Sequence, residues 1–359
     1  MSHWRISGHL VKRASEVGRA VCLTLLALGT AACDKKSGTP EWDAPGARQP
    51  AAAETTRPQA AAAKPARPRV KSPAEPQQSA AAAASTDGLR FISYNVENWL
   101  TMERFVNQKP VKNLPKPEAE KTAVLGILVN HTPDVIGLCE IGEATDLTEI
   151  QQSLKAAGLD LRYSHFSGGS DPVRHLGILS RFPLTPSAKP AATEFQMKGQ
   201  TYAINRGILD ASIMAHGKSY RFLGVHLKSK RETDGADQEE MRVHEARLLR
   251  RHVDAILLTD PDARLVVYGD FNDTRPSMAF KTVTGNYTDP GYLTTIPFKD
   301  SRGEAWTHYW ELHDIYTRFD FVMVSGALKP GVDFSDSRII EDPAWSAASD
   351  HRPLLAIFN

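Results

Sequence analysis

The chain has 359 residues with 43 Lys+Arg and 42 Asp+Glu, which gives a formal net charge of +1. Its 41% hydrophobic and 24% charged residues are ordinary for a globular protein and exclude a wholly disordered chain, a collagen-like fibre and a polytopic membrane protein. Residues 1–87 hold 12 basic and 7 acidic residues, whereas the remainder holds 31 and 35. The folded part is therefore mildly acidic, and no overall positive field attracts nucleic acid to it.

Residues 1–33 have the pattern of an export signal. Basic residues precede an apolar run at residues 20–28, which is too short to span a bilayer. Small residues then lead to Cys33, and this arrangement resembles a bacterial lipoprotein signal, in which that cysteine is lipidated; Thr30 stands where such signals usually have Leu. The alternative is ordinary cleavage near Ala32 without a lipid. We expect an exported protein, either a membrane lipoprotein facing the periplasm or exterior, or a secreted one.

Residues 34–87 are predicted to be a disordered linker. They contain long alanine runs and eight of the chain's 23 prolines, and they show no amphipathic period. Because proline blocks a continuous helix and too few apolar side chains are present to form a core, this segment is not expected to fold. Beyond Cys33 the chain has a single cysteine, Cys139, so the folded part cannot form an intramolecular disulfide.

One α/β domain is predicted for residues 88–359, because apolar and polar residues begin to alternate at Leu89. The predicted elements, in chain order, are a strand at 89–96, a helix at 117–130, a strand at 134–140, a helix at 145–157, strands at 161–166, 175–181, 207–215 and 220–228, a helix at 237–258, and strands at 264–269, 319–325 and 353–358. The mixture of βαβ units and adjacent strand pairs favours a mixed-sheet α/β fold.

Polar residues that would be costly to bury follow or begin several of these strands. They are Asn95, Glu97, Glu140, Asp270, Asn272, Asp320, Asp350 and His351. Functional groups of α/β sheets gather where strand ends meet loops. Converging carboxylates repel one another unless a cation or shared protons stabilise them. An oxygen-rich set without cysteine clusters favours Mg²⁺, with Mn²⁺ as an alternative, over zinc.

Six segments occur in an order that resembles the endonuclease/exonuclease/phosphatase superfamily, which includes deoxyribonucleases, sphingomyelinases and inositol-polyphosphate phosphatases. They are SYNVEN at 93–98, DVIGLCE at 134–140, GVHLKS at 224–229, GDFN at 269–272, RFD at 318–320 and SDHRP at 349–353. The resemblance covers residues 89–359. It implies a four-layer α/β sandwich, in which two mixed β-sheets pack face to face with helices outside.

The resemblance also implies a metal site. Glu140 would be the primary Mg²⁺ ligand, helped by Asn95 or by Glu97. Asp350 would bind or orient the metal and a water molecule from the opposite side.

Catalytic roles follow from the resemblance in the same way. Asp270 and Asn272 would position the attacking water and a phosphate oxygen, and Asp320 would fix the tautomer of His351. His226 lies in the segment that deoxyribonucleases and sphingomyelinases use for a second catalytic histidine. One histidine would accept a proton from water while the other protonates the leaving oxygen.

Arg206 is the candidate for binding a phosphate oxygen, by similarity to deoxyribonucleases. Histidines without a motif are interpreted as surface or packing residues, namely His175, His244, His252, His308 and His313. Trp306, Tyr309 and Trp310 are interpreted as packing at the rim rather than as a base-stacking surface. Substrate choice is expected to reside in the loops at 101–116, 166–173 and 284–312.

Three functions remain open from the sequence. The first is an exported, Mg²⁺-dependent nuclease that hydrolyses DNA or RNA and is tethered to a membrane by its N-terminal lipid or secreted. The second is a phosphoesterase for lipid or small-molecule phosphates, which the acidic domain weakly favours. The third is a non-catalytic binding module on the same fold. No obligate protein partner is expected.

Overall fold

The computed structural model describes residues 88–107, 109–189, 191–231 and 237–359. The predicted export signal at 1–33, including Cys33, and the predicted linker at 34–87 lie outside the described residues. Within the described ranges no helix is both long enough and apolar enough to cross a membrane.

The described elements follow the order that the sequence predicts, with additional short strands and two additional short α-helices. The strands are β1 (Leu89–Trp99), β2 (Met102–Val106), β3 (Lys109–Leu114), β4 (Val135–Ile141), β5 (Tyr163–Ser167), β6 (His175–Ser180), β7 (Leu184–Pro186), β8 (Glu194–Met197), β9 (Gln200–Ala203), β10 (Ile208–Ala215), β11 (Lys218–His226), β12 (Leu265–Asp270), β13 (Thr294–Thr295), β14 (His308–Trp310), β15 (Ile315–Thr317), β16 (Asp320–Val324), β17 (Arg338–Ile339) and β18 (Leu354–Phe358). The helices are α1 (Glu118–His131), α2 (Ala144–Ala156), α3 (Gln238–Thr259) and the two additional ones, α4 (Met278–Thr284) and α5 (Trp345–Ala348).

Two six-stranded sheets organise the described part of the chain. The first has the strand order β17-β18-β1-β4-β6-β5 and the second β13-β16-β12-β11-β10-β7. The pairs β1–β4 and β11–β12 are parallel, while the pairs on either side of them are antiparallel. Both sheets are therefore mixed, and in each the parallel pair lies at the centre.

Three hydrophobic layers separate the sheets and helices. Phe91 of the first sheet packs between the sheets with Phe222 and Tyr268 of the second. On the outer face of the first sheet lie α1 and α2, and on that of the second lie α3 and α4. The arrangement is helix, sheet, sheet, helix, which confirms the four-layer α/β sandwich.

Helix ends follow local chemistry. Helix α1 starts directly after Pro117, with Glu118 and Glu120 in its first turn, where acidic side chains stabilise the positive end of the helix dipole. Helix α3 starts directly after Asp237, whose side chain accepts hydrogen bonds from the backbone N–H groups of Glu239 and Glu240. The Asp237 cap fixes where α3 begins.

The Tyr268 ring fills the space between the sheets because glycines face it on both sides. A Cβ atom added at Gly137 of β4 would overlap the Tyr268 ring, and one added at Gly224 of β11 would lie 2.6 Å from its hydroxyl oxygen. We expect Gly137→Ala to lower the free energy of unfolding by about 1–3 kcal/mol, since the packed ring cannot move away freely.

The matched control is Gly126→Ala in α1, where an added Cβ meets no atom within 4 Å. We expect this change to raise the free energy of unfolding by roughly 0.5–1 kcal/mol, as alanine favours a helix interior. Denaturant unfolding of both variants measures the difference. Equal stability of the two variants would contradict this account of the sheet interface.

Two segments that the sequence analysis treated as loops contain β-hairpins. Strands β2 and β3 pair within 101–116, and β14 pairs with β15 at the end of 284–312 and just beyond it. The strands of both hairpins are short, and their side chains are mostly exposed or half-buried. A strand without a buried face lacks the alternation that identifies strands in a sequence.

Candidate functional site

Strand ends from both sheets meet at one edge of the sandwich. Asn95 and Glu140 lie near the ends of the parallel strands β1 and β4. His226 ends β11 opposite Asp270, which in turn pairs with Asp320 at the start of β16. Asn95 Nδ2 donates to Asp270 Oδ2 at 3.1 Å, and this hydrogen bond joins the two sheets at the site.

The backbone at this edge is strained. Glu97, Asn98, Glu140 and Asn272 have φ values of 46°, 57°, 66° and 49°, a left-handed conformation that non-glycine residues rarely adopt. The β1–β4 register also shifts at this end of the strands. Such irregularities re-aim side chains and concentrate at functional sites.

Three carboxylates line one side of the site. Glu140 Oε2 accepts from the Asn98 N–H at 2.9 Å, and Glu140 Oε1 lies 3.3 Å from Asn95 Nδ2. Glu97 Oε2 accepts from the Asp350 N–H at 3.1 Å. Burial, followed by the charge of Asp350, raises the pKa of Glu97 to about 7. The neighbouring carboxylates Asp350 and Glu140 thus add to the effect of burial on Glu97.

Asp270 extends the acidic surface into the second sheet. Its side chain is 2% exposed, and burial followed by the charges of Asp320 and Glu140 raises its pKa to about 7, against the opposing effect of His351. Burial first, and then neighbouring charges, raise the pKa values of Glu97 and Asp270, and a hard divalent cation fits such a group of carboxylates because it would stabilise their charged forms. Glu97, Glu140 and Asp350 are the side chains that would hold it.

Asn95 contacts these carboxylates as a hydrogen-bond donor. Its Nδ2 faces the oxygens of Glu140 and Asp270, while its Oδ1 accepts from the Glu97 N–H at 3.1 Å. In this geometry Asn95 orients the carboxylates by donating to them. Its role as a direct metal ligand stays a prediction.

His351 and Asp320 form a buried pair. His351 Nδ1 lies 2.7 Å from Asp320 Oδ2, so His351 Nε2 faces Asp270 Oδ2 at 3.7 Å and Asp350 Oδ1 at 3.8 Å. Burial alone would lower the pKa of His351, but the Asp320 and Asp350 carboxylates raise it well above its ordinary value. The structure thus brings together the two residues that the sequence analysis paired, and Nε2 is the ring nitrogen of His351 that faces the other site residues.

His226 has a different environment. It is 3% exposed, and its Nε2 lies 3.5 Å from Asp270 Oδ2 and 3.9 Å from Glu140 Oε1. Its buried Nδ1 has no hydrogen-bond partner among the described residues. Burial, followed by the charge of Arg206, lowers its pKa well below the ordinary value. His226 is therefore a weakly basic imidazole that points into the site.

Arg206 and Asn272 flank His226 and Asp270. Arg206 is buried with its Nε 3.2 Å from Asp171 Oδ2, and its Nη1 has no hydrogen-bond partner in the part of the chain that the structure describes. Asn272 donates its backbone N–H to Asp270 Oδ1 at 2.7 Å. A buried guanidinium with an unused donor is suited to a phosphate oxygen.

Arg174 and His308 also lie at the site, although the sequence analysis named neither of them as a site residue. Arg174 Nε donates to Asn98 Oδ1 at 2.9 Å and lies 3.9 Å from Glu140 Oε2. His308 was interpreted as a surface or packing residue, but its Nε2 lies 3.8 Å from Asp350 Oδ2 and its ring centroid 4.7 Å from that of His351. Burial lowers the pKa of His308 to about 4.

The β14–β15 hairpin explains the position of His308. The backbone N–H of Tyr309 donates to the Asp350 carbonyl at 2.9 Å, and His308 forms a β-bridge with His351. The apolar residues on both sides of the turn at 311–314 were the one sequence signal for this hairpin. That signal gives no indication of where the hairpin docks.

An aromatic wall, formed by Trp306, Tyr309, Tyr316 and Trp345, lies on this hairpin and the nearby helix α5. The ring centroids of Tyr309 and Tyr316 are 4.4 Å apart, and those of Trp306 and Trp345 are 5.2 Å apart. The rings pack on one another, which agrees with their interpretation as rim packing, but Tyr316 remains 51% exposed. Part of an aromatic face is therefore open on the hairpin whose Tyr309 backbone contacts Asp350.

Known proteins share this architecture. The model of the endonuclease/exonuclease/phosphatase family matches residues 93–289, while no curated protein sequence gives a significant match. The human Nocturnin catalytic domain with a bound sulfate anion is 18% identical, with a TM-score of 0.53, over 76% of this chain and 94% of that one. Sphingomyelinase C from Streptomyces griseocarneus is 14% identical, with a TM-score of 0.52, over 76% and 100%. Truncated Caenorhabditis elegans TDP2 is 20% identical, with a TM-score of 0.51, over 76% and 97%.

The structural likenesses are at low identity and show the fold, whereas the family model covers more than half of the chain, including the strand ends that carry Asn95, Glu140, His226, Asp270 and Asn272. The chain therefore belongs to the endonuclease/exonuclease/phosphatase family, whose fold is that of hydrolases acting on phosphoesters.

Proposed function

We propose that the protein is a Mg²⁺-dependent phosphodiesterase that hydrolyses DNA or RNA. The observation that carries this proposal is the Asp320–His351 pair, at 2.7 Å, which faces His226 and Asp270 beside the carboxylates of Glu97, Glu140 and Asp350. Two imidazoles and a hard-cation site on one surface provide acid, base and charge stabilisation for phosphodiester cleavage.

The side chains divide this work according to their contacts. A bound Mg²⁺ ion would supply positive charge for the phosphate oxygens as the bond breaks. Asp320 holds Nδ1 of His351, so Nε2 of His351 accepts the proton of the attacking water. Nε2 of His226 delivers a proton to the leaving oxygen. Asp270 lies 3.5 Å from His226 and 3.7 Å from His351, and it orients the water between them.

Cationic side chains bind the substrate phosphate. Arg206 offers its unused Nη1, and Arg174 lies beside Glu140. Both charges lower the pKa of His226, which makes a protonated His226 a stronger acid toward the leaving oxygen. Their positions also explain how a mildly acidic domain can bind a polyanion, because the attraction is local.

The aromatic wall favours nucleic acid as the substrate. Bases stack on exposed aromatic rings regardless of sequence, and Tyr316 and Trp310 are each 51% exposed on the hairpin that contacts Asp350. A base next to the cleaved phosphate can therefore stack at this rim.

A phosphoesterase for lipid substrates is the second candidate, and the β2–β3 hairpin favours it. Phe105 is 74% and Val106 47% exposed, next to the exposed Lys109 and Lys112. Arg104 of the same hairpin donates to the Asn98 carbonyl at 2.7 Å, which places the hairpin near Glu140. Apolar side chains with adjacent lysines are typical of segments that insert into a lipid headgroup region.

One assay separates these functions. The purified protein is incubated with plasmid DNA, RNA, sphingomyelin vesicles and bis-p-nitrophenyl phosphate, with Mg²⁺ and with EDTA. We expect Mg²⁺-dependent cleavage of DNA or RNA, weakened by Tyr316→Ala and unaffected by Phe105→Ser. Cleavage of vesicle lipid that Phe105→Ser abolishes would instead support the second candidate. Inactivity on all four substrates would support a binding module.

For localisation we propose a lipid anchor at Cys33. Cys33→Ser should release the protein from the membrane fraction, because acyl chains supply the binding energy. The control is Cys22→Ser, which changes a residue that the predicted signal removes. Fractionation followed by immunoblotting measures the difference, and a wild-type protein found only in the soluble fraction would refute lipidation.

A further inference from the structure

We propose that His308, Asp350 and His351 form a second metal site, selective for a borderline transition ion such as Zn²⁺, and that its occupancy inhibits the enzyme. One donor atom from each residue lies within 4.8 Å of the others. The site shares Asp350 and His351 with the proposed catalytic machinery but adds a residue, His308, that the family motifs do not contain.

The orientation of His351 suits a metal ligand. Its Nδ1 is held by Asp320 Oδ2 at 2.7 Å, and its Nε2 lies 3.8 Å from Asp350 Oδ1. A carboxylate that binds the far nitrogen of a histidine fixes the ring and strengthens the near nitrogen as a ligand.

His308 is oriented in the same manner from the opposite strand pair. Its Nδ1 lies 3.3 Å from Thr317 Oγ1 across the β14–β15 ladder, and its Nε2 lies 3.8 Å from Asp350 Oδ2. Its ring also stacks on Phe319, with centroids 5.2 Å apart. Both imidazoles are thus fixed on one side and direct Nε2 toward the same carboxylate, and Asn95 Nδ2 lies 3.4 Å from Nε2 of His351.

The donor set determines the class of ion. Two imidazole nitrogens and one carboxylate oxygen suit Zn²⁺ and similar transition ions, whereas Mg²⁺ prefers oxygen ligands. An ion can reach the site from solvent, since the Asp350 side chain is 41% and that of His308 15% exposed. Three protein ligands leave a further position for water, as in many zinc sites.

Inhibition follows from the chemistry of His351, and this consequence rests on the proposed function. A metal ion on Nε2 occupies the lone pair that would accept the proton of the attacking water. The same ion draws Asp350 away from the Mg²⁺ site. Zn²⁺ bound there would therefore stop turnover reversibly, and a chelator selective for Zn²⁺ over Mg²⁺ would restore it.

Binding is tested independently of activity. The purified protein in excess Mg²⁺ is titrated with Zn²⁺ by calorimetry and with Co²⁺ by visible absorption, which reports imidazole coordination. We expect His308→Gln to weaken Zn²⁺ binding about tenfold or more and Thr317→Val, which removes the contact to Nδ1, to weaken it on the order of tenfold. His313→Gln on the same hairpin should bind Zn²⁺ like the wild type.

The inhibition assay then compares each variant with its own Mg²⁺-supported rate. In His308→Gln the Zn²⁺ concentration that halves the rate should rise by at least the same factor as the dissociation constant for Zn²⁺. Unchanged Zn²⁺ affinity in a folded His308→Gln protein, verified by its circular dichroism spectrum, would overturn the site. Weakened binding with no measurable hydrolysis in any protein would retain the site and refute the proposed function instead.

Discussion

Glu140→Gln is expected to reduce kcat by roughly two orders of magnitude or more while leaving the fold intact. The substitution preserves the shape of the side chain and removes its negative charge. Glu140 is held in place within the carboxylate group, because one of its oxygens lies 3.3 Å from Asn95 Nδ2 and the other accepts from the Asn98 N–H at 2.9 Å. A glutamine can retain the second contact through its own oxygen, so the strained backbone has no reason to rearrange.

The matched control is Glu194→Gln, at an exposed position of β8. Turnover on a chromogenic diester is measured across a Mg²⁺ titration, together with the thermal unfolding midpoint. Glu140→Gln should lose activity at every Mg²⁺ concentration, and Glu194→Gln should behave as the wild type. Full wild-type activity in excess EDTA would refute the metal-dependent mechanism.

The layers of the fold were predictable because the central strands are buried on both faces. Segments such as the one around Val135 and the one around Val267 are continuous apolar runs that end in a carboxylate. A long apolar run that ends abruptly in Glu or Asp locates both a central strand and its functional end. Most strand predictions therefore agree with the structure to within two or three residues.

The hairpins were not predictable in this manner because their stability does not come from a buried face. Strand β2 has exposed residues such as Phe105 and Val106, and β14 and β15 are three residues each. Their position depends on contacts distant in sequence, such as that of Tyr309 with Asp350. His308 therefore carried no recognisable signal although it lies beside His351.

The local backbone at the site was also beyond prediction from sequence. Glu97 and Glu140 have left-handed φ values, which the sequence pattern would assign to glycine or asparagine. The register shift between β1 and β4 turns these side chains toward one another. The identity of the candidate residues could be read from motifs, but the fact that Asn95 donates to the carboxylates could not.

We expect the second large effect on turnover from substitution of His226 or His351, which have different roles in proton transfer. The carboxylate of Asp320 on Nδ1 makes His351 the stronger base, suited to accept a proton from water. His226 has no partner on Nδ1 among the described residues, and Arg206 lies near enough to lower its pKa. The protonated form of His226 is consequently the stronger acid, suited to protonate the leaving oxygen.

The assignment of His351 as the base predicts the direction in which the pH profile shifts. A base loses activity when it is protonated, so the acidic limb of kcat/KM follows the pKa of His351. Burial lowers that pKa, and the carboxylates outweigh burial and raise it above the ordinary value. Asp320→Asn removes the nearest of these charges, so we expect the acidic limb to move to lower pH and the maximal rate to fall as the tautomer is lost.

Comparison of two substrates distinguishes the histidines directly. His351→Ala should lose most of its rate on both a natural diester and a p-nitrophenyl ester, because water attack is impaired in each case. His226→Ala should lose most of its rate on the natural diester but recover much of it on the p-nitrophenyl ester, whose leaving group needs no proton. The double variant should lose little more than His351→Ala alone, since residues that act as a unit are not additive. Equal losses of His226→Ala on the two substrates would refute its role as the general acid, and a mainly raised KM would identify it as a phosphate-binding residue.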